Sequence, residues 1–151
     1  MNHYTSLLLY LRELLKSDSL VNTITQGDFS KVALNKTNIY TLAHIVIGDP
    51  FFTNGQTVGF NLEVAVIDAV LTNLDNKEDN FFNNNNEVDV YNETLAVLNR
   101  FWTSINHDFE DKGIKAPDNC TLRQWLSDKD SAVGYVLTFT VELPNSEMIL
   151  S

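Results

Sequence analysis

The stretch Ile39–Asp68, IYTLAHIVIGDPFFTNGQTVGFNLEVAVID, limits what this chain can fold into more than any other part of it. Two β-type runs, Leu42–Ile47 and Thr57–Ile67, flank the dipeptide Asn54-Gly55. In the second run Val58, Phe60, Leu62, Val64 and Val66 alternate with Gly59, Asn61, Glu63, Ala65 and Ile67. Successive strand side chains point to opposite faces, so one face is apolar and the other mixed. Asn and Gly both tolerate positive φ, which makes Asn-Gly between two such runs a strong hairpin signal. Asp49-Pro50 is expected to break the first arm before Phe51-Phe52, leaving the arms unpaired near the turn. Two adjacent aromatics in an extended segment face opposite ways. One of Phe51 and Phe52 is therefore a candidate interface residue as readily as a core residue.

The remaining elements follow from periodicity. Leu7, Leu8, Leu11, Leu14 and Leu15 recur at spacings of three and four, which predicts a helix over Asn2–Lys16 with one apolar stripe. Leu20–Gln26 reads as a short strand, an edge strand by its length, and residues 29–38 as a connection anchored by Phe29, Val32 and Leu34. A second helix is expected over Val88–His107, with its acids at the start where the helix dipole favours them. Cys120–Leu126 and Val133–Leu143 form a closing hairpin that ends at Pro144. The order α-β-β-β-α-β-β predicts an α+β fold: a mainly antiparallel β-sheet packed by two α-helices. No repeat or linker divides the 151 residues, so 1–151 is read as one domain.

Between the hairpin and the second helix lies an acidic, Asn-rich loop or insert, residues 71–90, containing DNKEDNFFNNNN. From Asp75 to Glu93 there are six acids (Asp75, Glu78, Asp79, Glu87, Asp89 and Glu93) against Lys77, half of the chain's net charge of −10. Asn runs favour turns over regular structure. Phe81-Phe82 is the segment's only aromatic punctuation and a second candidate contact for a partner or a neighbouring copy. Asp75, Glu78, Asp79, Glu87 and Asp89 are candidates for an acidic channel or partner surface.

Reactive chemistry is sparse. His3, His44 and His107 have no acidic or sulfur partners at metal-ligand spacing, and His44 alternates with Leu42 and Val46 as a structural sheet histidine does. Cys120 stands alone, so no intrachain disulfide is available, and no surrounding motif marks it as a nucleophile. The acidic loop fails as a calcium site because Lys77 occupies a ligand position and Asn80 stands where the turn needs Gly. The six glycines are scattered, with no phosphate loop among them. The reading is of a protein that is not an enzyme and has no cofactor or metal. Arg12, Glu13 and Lys16 interrupt the N-terminal apolar run, which predicts neither a signal peptide nor a membrane span. The net negative charge argues against wrapping nucleic acid or binding anionic lipid.

Taken whole, the chain resembles the neck and tail-completion ring proteins of tailed bacteriophages. The nearer likeness is to small ring proteins of phages infecting Bacteroidetes, including crAss-like phages; more distantly it is similar to the tail terminator of lambda-like phages. The likeness is carried by YTSLLLYLRELL, the short strand ending in QGDF, the Ile39–Asp68 stretch, the helix ETLAVLNRFW and the terminal strand GYVLTFTVELPN. The acidic Asn-rich insert has no equivalent in the lambda-type proteins. The resemblance implies a tail-terminator-like fold and a structural virion protein of the head–tail connector. Copies would form a homo-oligomeric ring of six or twelve around the DNA channel, assembled in the host cytoplasm. Its partners would be the portal, a neighbouring neck ring and tail proteins, with genome DNA passing through without specific binding. The alternative is a non-virion acidic adaptor that binds a basic protein partner.

Overall fold

The computed structural model describes residues 3–32, 39–71, 86–127 and 130–145. The elements in chain order are α1 (His3–Lys16), β1 (Thr23–Gln26), β2 (Leu42–Thr53), β3 (Thr57–Ala69), α2 (Glu87–Asp111), β4 (Cys120–Ser127) and β5 (Ala132–Pro144), with a 3-10 turn at Phe29–Lys31. The strands form one five-stranded sheet in the order β1-β2-β3-β5-β4. β1 runs parallel to β2 and every other pairing is antiparallel. The fold is α+β, two helices on a mostly antiparallel open sheet.

β3 sits at the centre, as its alternation demands. Val58, Phe60, Leu62, Val64 and Val66 are all buried and join the core with Leu7, Leu11 and Leu15 of α1 and Val97, Leu98, Phe101, Ile105 and Phe109 of α2. Tyr10, absent from the leucine stripe, is also buried. It lies against Phe109 and donates its hydroxyl to Asp108 Oδ2 at 2.8 Å, which satisfies the one polar atom that burial would orphan.

Three expected boundaries are corrected. β2 does not stop at Asp49-Pro50: it runs to Thr53 and pairs with β3 up to Thr53↔Thr57, with a register shift between Ile47 and Pro50. Backbone direction explains why proline is tolerated. The Ile45 carbonyl accepts from Gly27 N on the β1 side, so Ile45 and Ile47 direct their peptide groups outward. Ile47 and Pro50 oppose Leu62 and Phe60, two residues apart on β3, so Pro50 also faces outward, where no ladder bond needs its missing N–H. The expected loop over 71–90 ends sooner, because Glu87–Val90 already belong to α2. α2 also continues past His107 to Asp111. It closes on Gly113 at φ 69, whose N–H reaches Glu110 O, while Ile114 N–H reaches Phe109 O. That pair of bonds satisfies terminal carbonyls, and the buried Ile114 packs on the same end.

Candidate functional site

The hairpin tip presents the first unusual surface. Asn54 and Gly55 have φ of 46 and 74, and Gln56 N–H donates to Thr53 O at 3.2 Å. The end of β5 ties the turn down: Asn145 N–H donates to Gln56 O at 2.7 Å, and its side-chain amide reaches Gly55 O. On this braced tip the two adjacent phenylalanines diverge. Phe51 pairs with Gly59, and its ring occupies the space a Cβ at position 59 would take. Phe52 pairs with Val58 on the helix-bearing side of the sheet, yet it is 80% exposed against 37% for Phe51. Both lie at the surface.

A second apolar surface lies at the opposite margin. Leu95, Ala96 and Trp102 of α2 face Cys120 and Leu122 of β4 and Leu137 of β5 across an open groove rimmed by Asn92 and Asn99. Leu122 is 46% exposed there, and no charged residue lines the groove. Burial pushes the Cys120 thiol up from its ordinary value, so it is not an activated thiolate. His107, outside the lining, pairs with Asp111 at 3.2 Å on the exposed side of α2. Among the described residues no cluster of three or more His, Cys, Asp or Glu is arranged to hold a metal ion. No helix is long and apolar enough to cross a membrane among them.

His44 is engaged by the fold on both ring nitrogens. Its Nε2–H donates to Gly27 O at 2.8 Å and its Nδ1 accepts from the Thr25 hydroxyl at 2.7 Å, the pattern of a single neutral tautomer. Burial lowers its pKa, outweighing the opposite pull of the Gly27 carbonyl and the Asp28 charge. Phe29 stacks edge-on against His44 and against Trp125 of β4, so the 3-10 turn spans the second face of the sheet. Sequence periodicity does not show this ring stack, because its three members come from three separate segments.

The acidic candidates divide. Glu87 and Asp89 lie in the first turn of α2, where the helix dipole stabilises carboxylates. Asp75, Glu78, Asp79, Phe81 and Phe82 lie outside the described residues. The ends of that segment meet: Leu71 N–H donates to Asn86 Oδ1, and Asn86 N–H donates to Leu71 O at 3.2 Å. Further along α2, Arg100 forks onto Asp18, with Nε to Oδ2 at 2.7 Å and Nη2 to Oδ1 at 3.1 Å. This pins the α1–β1 turn to the helix. Sequence reasoning misses the groove. The detectable signal is in β4, whose run of four exposed residues carries Leu122 where an ordinary solvated face would be polar.

A scan against protein-family models and a search of curated proteins find no match to this chain.

Proposed function

We propose that this chain is a structural virion protein that forms a ring around the DNA channel in the head–tail neck of a tailed bacteriophage. Its fold is read as tail-terminator-like, in keeping with the whole-chain resemblance to neck ring proteins. The observation that carries the reading is the pair of unlike apolar surfaces at opposite margins of one sheet, the Phe52 tip and the α2–β4 groove. A closed ring is built from heterologous contacts, in which each copy offers two different surfaces to its two neighbours. The net charge of −10 suits the setting, because an acidic lumen repels the phosphate backbone and lets DNA slide past without specific binding. The ring has six or twelve copies and sits between the portal, a neighbouring neck ring and the tail. It is assembled in the host cytoplasm and carried in the virion.

The test is the composition of phage particles from a host culture that produces this chain. Mass spectrometry should find the chain in purified particles at six or twelve copies each, and an antibody against it should label the head–tail junction. Absence from the particles overturns the reading. Recovery with a basic host protein instead favours the acidic adaptor.

A further inference from the structure

We infer that neighbouring copies join by inserting Phe52 of one into the α2–β4 groove of the next; the closure of this contact into a ring rests on the reading above. Phe52 is the most exposed large apolar side chain among the described residues. It is also held in place. Strand pairing runs through Thr53↔Thr57, and Asn145 clamps the turn, so the ring is displayed on a rigid support. A contact residue presented this way loses little conformational freedom on docking.

Phe52 cannot reach the groove of its own chain. β2 and β4 are three strand spacings apart, about 14 Å. Along the strands, Phe52 is level with Val58, whereas Leu122 is level with Leu137 and Val64. That offset along β3 adds about 20 Å. The contact therefore takes a second copy, oriented so that its tip meets the groove of the first.

Charge selects the same pair of surfaces. Two copies of a chain with net charge −10 repel one another wherever acidic surface meets acidic surface. No charged residue occurs from Pro50 to Leu62, and none lines the groove. Tip and groove are thus places where two copies can touch without apposing like charges. One surface protrudes and the other is concave: Phe52 stands out from the tip, and Leu95, Trp102 and Leu122 wall the groove.

The test uses two variants of the full chain, Phe52→Asp and Leu122→Asp, at positions exposed enough to leave the fold intact, which circular dichroism and thermal unfolding verify. Analytical ultracentrifugation should find wild-type assemblies abolished in each variant alone. An equimolar mixture should form dimers and stop there, since one copy keeps its groove and the other its tip. A second measurement does not depend on the strength of a single contact. In the Gln56→Cys variant, which places a thiol on the exposed turn and keeps Phe52, a bismaleimide should link the introduced thiol of one copy to native Cys120 of the next. The product is a ladder of covalent oligomers with that junction in the peptide map. Either Asp variant assembling like wild type, or a mixture and cross-linked sample without the dimer and the junction, overturns the contact. The ring reading is tested separately by particle composition, so a ring held by other surfaces would remain visible there.

Discussion

The two margins of the sheet solve the problem of an exposed edge in opposite ways. At one margin β1 covers only Leu42–Ile45 of β2. Beyond it the edge of β2 is bent by the register shift between Ile47 and Pro50, and Pro50 offers no N–H. Bulges, prolines and short edge strands all discourage another strand from pairing. At the other margin β4 pairs with β5 over eight residues without a register shift, and its outer edge has no partner strand among the described residues. Leu122 and Leu126 are exposed along it, at 46% and 59%, and Arg123 is its only charged residue. The first margin is closed to backbone pairing and projects a side chain. The second is open and lies beside an apolar groove. The two margins of one sheet are therefore unlike, as the proposed head-to-tail contact requires.

The largest effect is expected where both margins depend on the same strand. Leu62 lies on β3 with no solvent exposure. Leu62→Asp buries an unpaired carboxylate, at a cost of several kcal/mol against a typical total of about 5–15 kcal/mol. Cooperative thermal unfolding should disappear, and its retention would mean that β3 is not the element holding the two margins together.

Next in size is a change that loosens the open margin alone. A Cβ on Gly134 of β5 would press on the Val66 carbonyl and the Ile67 backbone, neither of which can swing aside as a side chain can. Gly134→Ala should lower stability by about 3 kcal/mol in urea denaturation. Hydrogen exchange should rise more in β4 and β5 than in β1. A uniform rise across the sheet would show that the margins are not separable.

The closed margin should respond to acid. His44 anchors β1 through Thr25 and Gly27, and burial holds its pKa below the ordinary 6.5. Above that value the ring is neutral in both the folded and unfolded states and contributes no pH dependence. As pH falls below it, the unfolded chain binds a proton that the folded chain refuses. Stability is lost until the lower folded value is reached. Denaturation midpoints compared at about pH 7 and about pH 5 should show this fall, and His44→Gln should remove that share of it. An unchanged slope in the variant would assign the acid response elsewhere.

The smallest effect on the isolated chain belongs to Phe52→Asp. A side chain that makes so little contact within its own fold should change unfolding free energy by about 0.5 kcal/mol or less. A larger loss would show that the tip belongs to the core of its own margin, removing the contrast drawn between the two edges.

Much of the fold is legible because it depends on local rules. The alternation from Val58 to Val66, the positive-φ pair Asn54-Gly55 and the leucine spacing of α1 each specify an element within a short window. The acids in the first turn of α2 do the same. The misplaced boundaries have causes outside those windows. Pro50 reads as a stop because its tolerance depends on which side of β2 is covered. Periodicity ends α2 short, at His107, because Phe109 gains its value from Tyr10, which is 99 residues earlier by number (109 − 10).

The sequence by itself determined the identity and order of the strands and helices, since side-chain period and turn chemistry act between near neighbours. Only the tertiary structure decided that β4 is an open edge and that β1 runs parallel to β2. It also decided which apolar residues stay outside: Phe52 and Leu122 have the same chemistry as the buried Phe60 and Leu62. Exposure is a property of what the rest of the chain places over a residue. Long-range pairing sets that cover, so the contact surfaces emerge only when the sheet is assembled.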